Sequence, residues 1–218
     1  YFGSPVDNAI HALDAATGAR RWSFFTEGPV RLAPAFVSST ALETSDFAQK
    51  ATPDKTEGKP TVAEGRVYAG SDDGAVYCLD ARTGTRIWSK RPMGGTTRLL
   101  GAGRMMSLWP IRTGVLVDGG VVYAGAGLFP ARGTSVVALD AKDGKLIWKS
   151  SQAVKKPVVV LAPNGYLLAS AEQIYVPNGR TVPLTYARAD GVLRGAMVNA
   201  YDIVPGKGLV SGDYGVLV

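Results

Sequence analysis

The sequence predicts an all-β chain, a β-propeller of four-stranded antiparallel blades present as an incomplete arc, and three observations predict it. The first is a motif that occurs three times. Its copies are Ala12-Leu13-Asp14-Ala15-Ala16-Thr17-Gly18-Ala19-Arg20-Arg21-Trp22, Cys78-Leu79-Asp80-Ala81-Arg82-Thr83-Gly84-Thr85-Arg86-Ile87-Trp88 and Ala138-Leu139-Asp140-Ala141-Lys142-Asp143-Gly144-Lys145-Leu146-Ile147-Trp148. Their tryptophans stand 66 residues apart (22 to 88) and then 60 (88 to 148), a period that belongs to repeat architectures. The second is that short strand-like runs separated by hairpin turns come four to a unit, the pattern of propeller blades. The third is composition: 27 glycines and only 19% charged residues in 218 suit a chain of many turns and paired strands.

Each copy reads as two strands about a tight turn. Ala9–Leu13, Ala75–Leu79 and Ser135–Leu139 are the ascending strands, here called C. The Asp supplies a carboxylate for nearby backbone N–H groups, and the Gly is free to take positive φ. The run ending in Trp returns as strand D, and an indole fixed at one place per unit fits a knob against the neighbouring unit. Strands B are Gly65–Gly70 and Gly120–Gly125, each following a hairpin-type turn. Strands A precede them at Pro34–Val37 and Gly114–Val117. Residues 1–25 thus read as a partial blade, 26–90 and 91–150 as blades, 151–195 as a degenerate blade and 196–218 as a partial one. Tyr1-Phe2-Gly3-Ser4 reads as the end of a B strand rather than as a leader, so the sequence reads as part of a longer chain.

Two stretches depart from a minimal blade. Residues 38–63 are a polar excursion between strands A and B, with one helical turn expected at Ser45–Lys50. Residues 91–112 form a loop from strand D to strand A, carrying Arg98, Arg104, Arg112 and a tryptophan outside the repeat register, Trp109. After Trp148, Asn164-Gly165, Asn178-Gly179 and Asp190-Gly191 mark three successive hairpin turns. Aligning Asp190-Gly191 on Asp143-Gly144 puts Ala187 in the Asp140 place and Gly195 in the Trp148 place. Pro183 then predicts an irregular or edge-like C strand in that blade. Gly206–Gly212 reads as the start of a further unit.

Here a resemblance is carried by the residues quoted above. Leu-Asp-Ala-x-Thr-Gly-x-x-x-Trp resembles the tryptophan-docking repeat of the quinoprotein-like (PQQ-repeat) propellers. That group includes PQQ-dependent alcohol dehydrogenases and the propeller lipoprotein of outer-membrane barrel assembly. The resemblance implies structural repeat roles for Asp14, Gly18, Trp22, Asp80, Gly84, Trp88, Asp140, Gly144 and Trp148. It also implies a bacterial protein of the periplasm or cell envelope, though a shared fold hosts unrelated activities.

Chemistry-bearing motifs are sparse. The net charge of +6 comes with no Lys/Arg run, basic helix or RNA-binding aromatic signature, which argues against nucleic acid. No apolar run approaches membrane-spanning length. Cys78, the only cysteine, fills the slot of Ala12 and Ala138 and reads as a small buried residue. His11, the only histidine, aligns with Tyr77 and Val137, so it reads as structural, with no triad or zinc site expected. Gly101-Ala102-Gly103 and Gly125-Ala126-Gly127 are turn glycines, and Asp72-Asp73-Gly74 is a B–C hairpin turn without the ligand spacing of a calcium loop. The resembling dehydrogenases use a vicinal disulfide and an acid-held calcium beside PQQ, and this sequence offers neither a second cysteine nor a matching acid cluster.

Strand topology collects the remaining candidates on one face. In an A-B-C-D meander the D–A and B–C connections emerge together, which gathers Arg31, Arg98, Arg104, Trp109, Arg112, Arg132 and Arg180. One reading has these arginines bracing adjacent blades through carboxylates and carbonyls. The other makes Arg31, Arg104, Arg112, Arg132 and Arg180 an anion- or sugar-binding mouth with Trp109 as a stacking surface. The expectation is a non-catalytic binding or scaffold module with a protein, small anionic or sugar partner, no metal and no cofactor in this segment. The alternatives are the propeller of a PQQ-dependent dehydrogenase and a sugar-binding propeller.

Overall fold

Short runs rich in Val, Ile, Leu and Tyr, each closed by a glycine turn, can pair only with their chain neighbours, and they do. The computed structural model describes residues 1–39, 65–101, 103–151, 161–179 and 181–196. The first sheet is three-stranded: β1 (Phe2–Ser4), β2 (Ala9–Leu13) and β3 (Arg20–Phe25). Three four-stranded sheets follow. They are β4 (Ala35–Ser38) to β7 (Arg86–Lys90) through β5 (Gly65–Gly70) and β6 (Val76–Asp80); β10 (Leu116–Asp118) to β13 (Leu146–Ser151) through β11 (Val121–Ala126) and β12 (Ser135–Asp140); and β14 (Leu168–Ala169) to β17 (Leu193–Ala196) through β15 (Gln173–Asn178) and β16 (Thr181–Ala187). Every pairing is antiparallel between consecutive strands. The protein is all-β, an arc of propeller blades.

The cores lie between the sheets. Ile10, Val30, Val67, Tyr77 and Leu79, with Trp22 and Phe24 at the margin, fill the seam between blades 1 and 2. Tyr68, Val76, Cys78, Trp88, Val137 and Leu139 fill the next, and Tyr123, Val136, Trp148, Ile174, Leu184 and Tyr186 the third. Both faces of each inner sheet are thereby buried, which is why its strands read as almost continuous apolar runs.

Two expectations change. The 91–112 connection is not a plain loop: β8 (Arg98–Gly101) and β9 (Arg104–Ser107) pair antiparallel, with Gly101 opposite Arg104. The C strand of blade 4, β16, is not an edge, because it pairs with β15 on one side and β17 on the other. Its irregularity is local. The register shifts between Val176 and Asn178, so Pro183 and Pro177, which have no N–H to give, share the unpaired step. The 40–63 part of the polar excursion with its expected helical turn, Arg180 and the Gly206–Gly212 unit lie outside the described residues.

Candidate functional site: the outer seams and the arginine rim

At the outer seams one arrangement recurs three times. Gly18, Gly84, Gly144 and Gly191 all have φ between 71° and 74°, the left-handed value their turns require. The Trp22 indole N–H donates to the Ala81 carbonyl at 3.0 Å, and its ring lies on Gly84, where a Cβ would stand 2.7 Å from the indole. Trp88 donates to Ala141 at 3.2 Å and covers Gly144. Trp148 donates to Arg188 at 2.8 Å and covers Gly191. The acceptor is always the residue after the turn-opening Asp position. In blade 4 that position is Ala187, yet the arrangement persists, because the seat is made of a carbonyl and a bare α-carbon.

Within the turns, Asp14 Oδ1 accepts the N–H groups of Ala16 and Thr17, both at 3.0 Å, and Asp80 Oδ1 those of Arg82 and Thr83. Asp140 does the same with Lys142 and Asp143. The Arg21 guanidinium and these N–H groups hold the Asp14 carboxyl well below the usual carboxylate range.

Sequence reading missed the tyrosines that complete each seam. The Tyr1 hydroxyl donates to Ala81 at 3.0 Å and the Tyr68 hydroxyl to Ala141 at 2.9 Å, so each of those carbonyls accepts both a phenol and an indole. Tyr123 stacks obliquely on Trp148 and takes Arg188 over its ring. Arg188, only 9% exposed in its side chain, also pairs with Asp118 at 2.7 Å.

Two of the rim arginines converge on an acid that the sequence reading set aside as part of a hairpin turn. Asp72, 1% exposed, lies between two of them: Arg31 Nε donates to Oδ2 at 2.7 Å, and Arg112 Nε stands 2.7 Å from Oδ1. The second contact is off the hydrogen-bond angle, so it is an ion pair without a directed bond. Burial and the nearby Arg31 draw the Arg112 pKa below its usual value against the pull of Asp72. Asp73, also buried, accepts the Tyr77 hydroxyl at 2.5 Å and the Glu27 N–H at 3.1 Å. Gly28 must be a glycine, since a Cβ there would lie 2.6 Å from the Asp73 nitrogen.

The other rim residues are placed as follows. Arg98 and Arg91 both pair with Glu27. Arg104 donates to the Val6 carbonyl at 2.9 Å and to Asn8 Oδ1 at 3.2 Å. Trp109 is half-buried; its ring covers Gly95 and its N–H donates to the Arg132 carbonyl at 2.8 Å. The strand A approaches also meet: the Ala33 N–H donates to the Tyr166 hydroxyl at 3.2 Å, and the Gly114 N–H to the Gly165 carbonyl at 2.9 Å.

His11 needs a correction. One histidine suffices for a Ser-His-Asp constellation, and the fold supplies one: Nδ1 is 2.7 Å from Ser23 Oγ and Nε2 is 3.0 Å from Asp7 Oδ2. The nitrogens are exchanged relative to the familiar hydrolase triad. His11 is 7% exposed with the Phe2 ring at 4.9 Å, so the arrangement ties blade 1 together. Cys78 is fully buried, and that burial pushes its thiol up to about 11. Among the described residues no three His, Cys, Asp or Glu side chains gather as a metal site. No helix of the described residues is long and apolar enough to cross a membrane.

Comparison with known proteins places the chain. Residues 6–198 match the family model described as "Outer membrane protein assembly factor BamB". The chain belongs to this family. It is 27% identical over 184 residues to "Outer membrane protein assembly factor BamB" of Yersinia pestis, covering 76% of this chain and 44% of that protein. It is 31% identical over 141 residues to "Alcohol dehydrogenase (quinone), dehydrogenase subunit" of Gluconobacter oxydans, covering 64% of this chain and 16% of that one. Among solved structures, the quinohemoprotein alcohol dehydrogenase from Comamonas testosteroni superposes with a TM-score of 0.54 at 15% identity, over 88% of this chain and 34% of that chain, which shows a shared fold. The chain thus spans less than half the length of each of these relatives.

Proposed function

We propose that this propeller is a non-catalytic binding or scaffold module whose partner is another protein, working in the periplasm or cell envelope of a bacterium. The observation that carries it is the Asp72 pairing. Arg31 and Arg112, the best-placed candidates for an anionic ligand, are turned onto the protein's own buried carboxylate. Arg98 and Arg104 are likewise engaged by Glu27, Val6 and Asn8. An arginine so engaged braces two connections of the fold and commits donors to the chain's own acceptors, while two guanidiniums sharing one carboxylate keep a net positive charge.

Against an anionic cofactor such as PQQ at this rim stands the pairing of Arg31 and Arg112 with the chain's own Asp72. The sugar-binding reading needs Trp109 as an open stacking face, whereas its ring covers Gly95 and its N–H is committed to Arg132. Family membership supports a protein partner and an envelope location, because the family model carries the name of an outer-membrane assembly factor.

The competing reading, a dehydrogenase propeller, draws on the 31% identity to the quinone-dependent alcohol dehydrogenase subunit. Titration calorimetry of PQQ, with and without calcium, separates the two, with Arg31→Ala/Arg112→Ala as control. The scaffold reading expects no saturable heat. Saturable heat abolished in the double variant would replace it with the quinoprotein reading.

A further inference from the structure

A cleft of about 630 Å³ opens between blades 2 and 3, away from the arginine rim's Asp72. One wall is the end of β7, with Lys90 and Arg91, and the other is the C–D turn of blade 3, residues 143–146. Lys90, Arg91 and Lys145 are all exposed. Arg91 pairs with Glu27, but among the described residues neither lysine ammonium has an ion pair or a hydrogen bond. The one acid of the lining, Asp143, caps its own turn: its Oδ1 accepts the Lys145 backbone N–H at 2.8 Å. Three cations against one carboxylate leave the lining positive. The rim arginines meet acceptors of their own chain; these two ammoniums meet none.

The repeat does not ask for these charges. The place of Lys90, two residues after the seam tryptophan, holds Phe24 in blade 1 and Ser150 in blade 3. The place of Lys145, one after the turn glycine, holds Thr85 in blade 2 and Val192 in blade 4. Three seams share the same backbone walls, and only this one carries a lysine on both. The Lys90 stem also rests on the bare α-carbon of Gly144, with its Cγ 2.9 Å from where a Cβ would stand. A stem already laid along the turn loses less freedom when a ligand arrives. Leu146, 46% exposed, adds an apolar contact on the same wall as Lys145.

We propose that this cleft binds an acidic segment of a partner protein, with carboxylates on Lys90 and Lys145 and an apolar side chain on Leu146. The proposal rests on the reading of the chain as a protein-binding module. An extended segment suits the cleft better than a compact ion, because the lysines stand on opposite walls of an open groove. Exposed ion pairs are individually weak, so affinity comes from engaging both lysines and the leucine together.

The test is fluorescence anisotropy with a labelled peptide, acetyl-Asp-Glu-Leu-Glu-Asp-amide, titrated with the 218-residue chain. Saturable binding is expected, and the neutral peptide acetyl-Asn-Gln-Leu-Gln-Asn-amide should not compete. Lys90→Gln/Lys145→Gln should weaken binding about tenfold, the loss of two exposed ion pairs. Arg82→Gln/Arg86→Gln removes two exposed cations outside the cleft and should leave binding unchanged, with melting curves confirming that both variants fold. No saturable binding, competition by the neutral peptide, or equal losses in the two double variants would each overturn the proposal. Binding of phenyl phosphate through the two lysines without binding of the peptide would overturn it too, in favour of a small anion. Both variants keep Arg31 and Arg112, so a failed cleft leaves the scaffold reading to the PQQ titration.

Discussion

The outer seams and the inner rim join the same blades by different chemistry. At the seams a side chain meets backbone: an indole on a glycine α-carbon, with its N–H on a carbonyl. At the rim the ion pairs join side chain to side chain, Arg31 and Arg112 on Asp72 and Arg98 on Glu27, beside the backbone contacts of Arg104 and Trp109. Contacts to backbone depend only on the turn keeping its shape, so the seam between blades 3 and 4 survives the loss of the turn-opening Asp at Ala187. Contacts between side chains need two particular residues at once, and each rim pair therefore occurs once.

The comparison is sharpened most by Trp88→Ala. Its indole is 7% exposed, and its removal should cost about 3–5 kcal/mol in denaturant unfolding. An unchanged midpoint would mean that the seam is not held by the indole. Asp72→Asn comes next. Breaking a buried ion pair costs about 3–5 kcal/mol, and partial exposure of both arginines should bring this one to about 2–3 kcal/mol. A neutral result would remove Asp72 as the anchor of the rim. The smallest effect belongs to Arg98 and Glu27, exposed by 46% and 56% in their side chains. A double-mutant cycle on that pair should give about 0.2–1 kcal/mol, shrinking with added salt. A larger, salt-independent coupling would make that edge of the rim structural.

The seams were largely legible in the sequence, because their chemistry repeats. Three copies of Leu-Asp-Ala followed by Gly and Trp announced both the turn and the knob. Even the degenerate blade was located by Asp190-Gly191. The seam tyrosines were not seen, since loops of different length separate Tyr1, Tyr68 and Tyr123 from their tryptophans by 21, 20 and 25 residues. The rim was half legible. Meander topology placed Arg31, Arg112, Trp109 and Arg132 on one face, but Asp72-Asp73 read as an ordinary hairpin turn. Its partners Arg31 and Arg112 lie about 40 residues away on either side, and burial rather than spacing marks it as the hub. The β8–β9 pairing was hidden because Gly101–Gly103 was read as a turn without strands to join. Ser23, His11 and Asp7 were missed because cross-strand pairing, not sequence spacing, brings Ser23 beside His11.

The most direct measurement is thermal unfolding of Gly84→Ala beside Gly18→Ala. Both substitutions cost about 1–2 kcal/mol for the left-handed backbone. Only at Gly84 does the new methyl also meet an indole, 2.7 Å from Trp22, while at Gly18 the space is open. Gly84→Ala should therefore melt lower, by about 2–4 °C for each further kcal/mol of crowding. Equal melting of the two variants would contradict the claim that an indole seated on bare backbone holds successive blades together.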